Sequence, residues 1–376
     1  DASNFLKFRI SYGENGNQAV APYQSIARFR EENFVNGSTS LAGFVPDNLA
    51  NPLLGWETSS STNFGLDFGI LDNVLTGTID YFNTRTEDLL LNRTISPIHG
   101  IGSIVDNIGE TRNKGLEFSL NAALKYGEHF NWNANFNFTH LNNEIISLGL
   151  GENGEVDDVA SGLFIGEPIT SNFDFLFDGV WQLDEADQAS SYNTEPGNIK
   201  IKDINNDGQI TAEDRTIIGQ TDPQNLWGLT NTFSYKSISL TLFVHGVHGI
   251  TKENRLFQDG SSSSGVRRNV ILKNWWTPDN ATNEFYQNAV GAGGQQGFGA
   301  PLYQNASFIR IKDITLSYNL PGNFINKLGL SNVNIYFTGR NLFTITEWQE
   351  SDPELNSGRG TIPLQKEYLF GLTIRN

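Results

Sequence analysis

The chain of 376 residues carries a formal charge of −17, contains neither cysteine nor methionine, and is 12% aromatic with 26 phenylalanines. The absent cysteines exclude disulfides and thiolate metal sites, and the acidic balance argues against nucleic acid, itself a polyanion, as a partner. No apolar run reaches the ~18 residues of a membrane-crossing helix, so any crossing of a membrane would have to be by strands.

The first element shows how. Leu6, Phe8, Ile10 and Tyr12 alternate with Lys7, Arg9 and Ser11, a period of two that predicts a strand with one apolar and one polar face. Phe118, Leu120, Ala122, Leu124 and Tyr126 alternate with Glu117, Ser119, Asn121 and Lys125. The clearest case is His129 to His140, where Phe130, Trp132, Ala134, Phe136 and Phe138 oppose Asn131, Asn133, Asn135 and Asn137. Val333, Ile335 and Phe337 repeat the pattern, as do Tyr368, Phe370, Leu372 and Ile374 against Gly371, Thr373 and Arg375. Charges keep to one parity, and the polar face is rich in amides. An all-β transmembrane antiparallel barrel, with lipid outside and water inside, has this pattern. The alternative from periodicity alone is a large soluble antiparallel sandwich.

Loop lengths orient the barrel, because outer-membrane barrels have short periplasmic turns and long extracellular loops. Short connections fall at Leu71-Asp72-Asn73, Tyr126-Gly127-Glu128 and Tyr235-Lys236-Ser237, with a longer one from Pro321 to Asn332. Long segments cover 13–56, 86–113, 145–223, 250–306 and 346–365. Ten wall strands satisfy every turn: 4–13, 57–70, 73–85, 115–126, 129–144, 224–235, 238–249, 307–320, 332–345 and 366–376. Tyr23–Phe29 and Phe173–Trp181 read as strand-like pieces within extracellular loops. A strand so near the chain start, the initial Asp1 and the lack of Met lead us to expect the C-terminal portion of a larger barrel.

Several segments then carry a resemblance. Leu6–Gln18 (LKFRISYGENGNQ), Asn51–Glu57 (NPLLGWE), Gly65–Phe82, Asn107–Phe118 (NIGETRNKGLEF), Ala306–Pro321 (ASFIRIKDITLSYNLP) and Gly339–Thr344 (GRNLFT) occur in an order and spacing that resembles the SusC/RagA-family TonB-dependent outer-membrane transporters. The similarity runs along essentially the whole chain. It implies a barrel of roughly 22 strands with a plugged lumen, of which this chain supplies about ten. It further implies a TonB-binding segment that engages the TonB complex, a SusD-like surface lipoprotein as lid on the extracellular loops, and an oligomeric substrate, glycan or peptide. The N-terminal plug is absent from this chain. The family commonly ends on an aromatic residue, whereas this sequence ends Ile374-Arg375-Asn376.

One local motif carries chemistry. Asp203, Asn205, Asp207, Gln209, Thr211 and Asp214 stand at positions 1, 3, 5, 7, 9 and 12 of a loop with Gly208 at the sharp turn. This is EF-hand-like calcium spacing, with Asp rather than Glu last, as in dockerin-type loops. The expected role is a structural Ca2+ staple for the 145–223 loop; the competing reading is an Asn/Asp-rich turn holding no ion. Trp181, Trp275, Trp276 and Trp348 are candidate substrate contacts, since sugar rings stack on flat aromatic faces; interfacial or loop packing is the competing role. Arg9, Lys125, Asn131, Asn133, Asn135, Asn137 and Arg375 are the expected lumen-lining residues.

No catalytic set is legible. His245 and His248 are three apart on a predicted strand and so face opposite ways, and His99, His129 and His140 stand alone. Acidic neighbours Glu350 and Asp352, or Asp184 and Glu185, read as solvated loop charges rather than a glycosidase pair. The expected function is the wall and loops of a nutrient importer in the bacterial outer membrane, not an enzyme. The competing classes are a soluble or surface-attached, calcium-stapled β-rich binding module and a polysaccharide-degrading enzyme.

Overall fold

The computed structural model describes residues 3–18, 20, 22–95, 98, 101–149, 156–255, 272–289, 293–325, 329–349, 352–355 and 362–375. His99 and Glu350 lie outside them. Ten strands form one antiparallel sheet: β1 (Ser3–Asn17), β4 (Glu57–Ile70), β5 (Leu75–Thr94), β6 (Ser103–Tyr126), β7 (Phe130–Ser147), β12 (Asn225–Tyr235), β13 (Ile238–His248), β16 (Phe308–Asn319), β17 (Asn332–Thr346) and β18 (Glu367–Arg375), hydrogen-bonded in that order. These are the ten expected wall strands. The sheet is open, with β1 and β18 at its edges.

Tight turns join the strands at one end. Leu71, Asp72 and Asn73 all adopt positive φ between β4 and β5, and Gly127 and Lys236 do so at the next two. Asx and Gly tolerate this region and Lys does not favour it; the Lys236 turn is braced by its N–H, which donates to His129 O at 3.1 Å. The β16–β17 connection contains a single helical turn, α2 (Gly322–Ile325).

At the other end two elements depart from expectation. The segment 86–113 is not a free loop: β5 and β6 stay paired from Leu75↔Ala122 up to Thr94↔Ser103, across a bulge near Leu89. Ion pairs such as Arg93–Asp106 at 3.0 Å hold this extension together. Tyr23–Phe29 is mostly a turn, because Tyr23 has φ +64 and its carbonyl accepts from Ile26 N–H. The strands there are β2 (Arg28–Asn36) and β3 (Thr39–Asn48), paired only with each other. Phe173–Trp181 does form strands, split into β8 (Ser171–Phe175) and β9 (Phe177–Val180) by their different partners. β8 pairs with β11 (Arg215–Gln220), and β9 with β10 (Ile199–Ile201).

The larger apolar core sits in these loops, and a smaller one joins Val247 and Phe308 at the upper end of the wall to Trp348. Phe175, Val180, Ile199, Ile201 and Ile210 from one long loop pack with Trp276, Phe285, Tyr286 and Ala300 from the next. Burying each large side chain stabilises the cap by about 1.5–3 kcal/mol. A short β14 (Thr251–Glu253) pairs with β15 (Tyr303–Asn305) beside it. A short helix, α1 (Ala186–Ser191), lies in the first of these loops.

On the wall, by contrast, one face exposes its large apolar residues, among them Phe8 at 77% and Phe370 at 75%. In the register Tyr126, Phe130, Tyr235, Ile238 and Tyr318 fall on one rung beside the short turns. That row is an aromatic girdle at one margin of an apolar band, as a lipid interface requires.

Candidate functional site

The opposite face of the wall is largely polar, with rings such as Phe82, Phe243 and Tyr336 set among its polar side chains. Asn131, Asn133, Asn135 and Asn137 stand across from Lys125, Ala123, Asn121 and Ser119 on β6, and from Ser234, Thr232, Thr230 and Gly228 on β12. Cross-strand bonds satisfy many of these groups: Asn135–Asn121 at 2.5 Å, Thr78–Ser119 at 2.7 Å, Thr315–Thr338 and Asn334–Asn319 at 2.8 Å, and Ser234–Ser239 at 3.0 Å. Arg9 donates to Asp67 at 2.7 Å and to Asp80 at 3.0 Å, linking β1, β4 and β5. Arg375 stands opposite Asn332. All seven expected lining residues therefore share one face, although Arg9 and Arg375 lie on its two opposite edge strands. A cavity of about 220 Å³ opens on this face between Thr76, Asn121, Asn133, Asn135, Thr230 and Thr232.

The 203–214 loop is tightly turned. Asp203 accepts from Asn206 N–H at 2.7 Å, from Gly208 N–H at 2.9 Å and from the Tyr192 hydroxyl at 2.8 Å. Gly208 has φ +82, which a side chain would strain. Asn205 accepts from Asp207 N–H and Asp207 from Gln209 N–H. Thr211 caps a short turn by accepting from Glu213 N–H. Asp214, fully buried, accepts from Ile204 N–H at 2.9 Å and Thr211 N–H at 2.7 Å. Burial pushes the Asp203 carboxyl upward, but its hydrogen-bond donors outweigh this and hold it below the ordinary value. Burial and the same contact raise Tyr192 to about 12. Among the described residues, no three acidic or histidine side chains converge as a cation site. The donors offered are oxygens, the chemistry of a hard cation.

The tryptophans serve packing. Trp181 is 2% exposed and sits over Tyr192, with Lys200 Nζ 4.5 Å from its ring. Trp276 lies in the shared loop core and donates to Gln182 at 2.9 Å. Trp348 is buried with Val247, Ile250, Ala306 and Phe308. These three rings are closed to a stacking ligand because loop side chains already cover them. Trp275 is half-buried, edge-on to Phe285.

Two features escaped sequence reasoning. Arg310, 2% exposed on the polar face, donates to Asp352 at 2.8 Å, Glu354 at 2.5 Å and Thr344 at 2.9 Å. Lys252 donates to the Pro353 carbonyl at 2.8 Å. The loop after β17 is thus strapped down onto β16, and Asp352 is a structural ion-pair partner. The adjacent acidic and basic runs in Asp352-Pro353-Glu354 and Arg310-Ile311-Lys312 were the available signal. The second is a polar recess of about 660 Å³ lined by Asn172, Thr221, Asp222, Lys252, Glu253, Arg255 and Tyr303. Burial lowers the Lys252 ammonium and, with Asp174 and Glu253 nearby, raises Tyr303 to about 12. Glu185 is engaged by Lys200 at 2.6 Å. His245 stands opposite Arg310, while Trp227 donates to His248, which is on the other face.

This two-faced wall has known counterparts. The family description "TonB dependent receptor-like, beta-barrel" matches residues 1–171. TonB-dependent receptor P3 of Formosa agariphila is 33% identical over 93% of this chain and 36% of its own length. TonB-dependent receptor SusC of Bacteroides thetaiotaomicron is 27% identical over 98% of this chain and 37% of its own. Among solved structures, the RagAB peptide transporter matches the whole chain and 41% of its own with TM-score 0.78 and 26% identity. The chain spans well under half the length of these relatives. The chain is a β-barrel wall of the TonB-dependent receptor type, similar along its length to SusC and to the RagAB transporter.

Proposed function

We propose that this chain supplies about ten wall strands and the extracellular loops of a TonB-dependent importer of oligomeric nutrients, glycan or peptide. The observation carrying the reading is a ten-stranded sheet with one largely polar face and one exposed apolar face. The polar face, with Arg9, Lys125, Asn131, Asn133, Asn135, Asn137 and Arg375, lines the lumen. A plug and the remaining strands, from elsewhere in the polypeptide, close the barrel and connect it to the TonB complex. A SusD-like lipoprotein docks on the loops, and the polar recess between β14 and Asp222 receives the oligomer. The exposed apolar band weighs against the soluble binding module.

Mass spectrometry of the complex extracted from native outer membrane in mild detergent tests this. Finding the chain with a plug-bearing segment, a SusD-like lipoprotein and a bound oligomer supports it. Recovery of the chain alone in a detergent-free fraction would sink it in favour of the soluble module.

A structural Ca2+ held by Asp203, Asn205, Asp207, Gln209, Thr211 and Asp214 is part of the proposal. Oxygen donors, the spacing and the positive φ at Gly208 favour it. Calcium should slow proteolysis of the 145–223 loop in the wild type and leave an Asp203→Ala, Asp207→Ala variant unaffected. Equal cleavage of the wild type with and without calcium would remove the staple.

A further inference from the structure

A second cavity lies beyond the recess, beneath the loop that follows β17. Its volume is about 350 Å³, and Arg310, Asn341, Thr344, Pro353, Leu364 and Lys366 are among the residues that line it. The register fixes the face on which it opens. Thr344 stands opposite Arg310, Arg310 opposite His245, His245 opposite Gly228, and Gly228 opposite Asn137. Residues directly opposite on paired strands share one side of a sheet, so the cavity lies on the polar face that carries Asn137.

The ribbon β14–β15 separates this cavity from the recess. Toward the recess, the Thr251 carbonyl accepts from the Asn172 amide at 2.8 Å. Toward the loop after β17, Gln304 donates to Gln349 and Asn305 to Glu347, each at 3.0 Å. Lys252 belongs to both sides. It lines the recess, and its ammonium donates at 2.8 Å to the carbonyl of Pro353, which lines the second cavity. The Lys252–Pro353 contact is therefore a partition shared by the two cavities.

The second cavity also offers an unmet acceptor. Between the pairs Ile311–Phe343 and Asp313–Arg340, β17 carries Asn341 and Leu342 against the single Lys312 of β16. Bulges re-aim side chains, and Asn341 takes φ +51, which asparagine tolerates. Its Nδ2 donates to the Gln365 carbonyl at 3.1 Å, which fixes the orientation of the amide. Its Oδ1 is buried and has no hydrogen-bond partner among the described residues. A buried acceptor is costly to leave unmade. Arg310 and Asp352, by contrast, already pair with each other at 2.8 Å. The groups left to a ligand are the Asn341 oxygen and the Lys366 ammonium.

We propose that this cavity is a second subsite for the transported oligomer, reached from the recess past the Lys252–Pro353 contact. It takes one uncharged repeat unit whose adjacent groups donate to Asn341 Oδ1 and accept from Lys366, as a vicinal diol or a peptide group does. The inference rests on the reading of the recess as the oligomer's first station and extends the path from the cap to the inner face of the wall.

The test uses the intact complex isolated from native outer membrane, with p-benzoylphenylalanine replacing Leu364 or, in a second sample, Thr221 of the recess. Irradiation traps whatever touches the probe, and mass spectrometry reads the adduct. Adducts of the same repeat mass are expected at both positions, and that mass separates a sugar from a peptide unit. An adduct at Thr221 with none at Leu364 overturns the subsite, as does a plug or lipoprotein adduct at Leu364. An adduct at Leu364 alone upholds the subsite and refutes the recess; none at either position removes both. Asn341→Gly keeps the backbone conformation and deletes the acceptor. It should lower the Leu364 adduct about fivefold and leave the Thr221 adduct unchanged; an undiminished Leu364 adduct overturns the site. If heat-modified gel mobility shows that variant unfolded, Lys366→Met serves, with about a twofold loss expected and no loss refuting the site.

Discussion

Arg310, on wall strand β16, joins the wall to the loop after β17. Its guanidinium is inaccessible to water and spans Asp352, Glu354 and Thr344, so one residue of the wall fixes a loop some forty positions later. Removing one partner of a buried pair leaves the other charge uncompensated, at a cost of about 3–5 kcal/mol. We expect Arg310→Met to release the 347–355 segment, seen as accelerated hydrogen exchange there with the wall amides unchanged. Unaltered exchange at Glu354 and Leu355 would show the strap to be held by Lys252 and Trp348 alone. The same lesson applies to Trp181 and Trp276. Their identity was legible in the sequence as loop aromatics, but their burial was not, because their partners Gln295 and Gln182 are about a hundred residues away. Side chains of a membrane wall announce their environment through their neighbours in sequence, and those of a folded loop do not.

At the scale of the strand, the wall was readable because lipid and water act on alternate residues of the same short stretch. Above the membrane this contrast fades. β5 and β6 continue as a ladder there, but Arg85, Arg112 and Arg93 replace apolar residues on the outward rungs or their flanks, and the alternation that marks a strand is lost. Pairing survives on backbone bonds and on ion pairs. A second regularity operates on both faces: rings lie across glycines of the facing strand, Phe68 over Gly77 and Trp227 over Gly246 outward, Phe82 over Gly115 and Tyr336 over Gly371 on the polar face. A Cβ at Gly246 would overlap the Trp227 indole. Gly246→Val should therefore destabilise the β12–β13 pair by about 1–3 kcal/mol, measured as a lowered midpoint of denaturant unfolding. An unchanged midpoint would mean that the ring has room to turn aside.

For the molecule as a whole, the two faces make opposite demands on substitution. Phe136, near the middle of the outward band, and Asn133, on the polar face, lie three residues apart on β7. Arginine at the first position meets hydrocarbon and should cost about 2–4 kcal/mol, whereas at the second it meets water or polar partners. Phe136→Arg should sharply reduce assembly into bilayers, and Asn133→Arg should leave assembly near the wild-type yield. Equal yields would contradict the assignment of the faces. The cap is the complement of this wall: two long loops share one hydrophobic core, so it is organised like a small globular domain resting on a sheet.

Within the ten-stranded sheet every wall strand pairs with the wall strands next to it in chain order, whatever has been inserted between them. The hairpin β2–β3 between β1 and β4, and the whole cap segment between β7 and β12, interrupt the chain without disturbing the register below. Such a wall is indifferent to the length and content of what it carries. Natural variation can therefore exchange the two core-sharing loops together, as one cassette, without having to relearn how to enter the membrane.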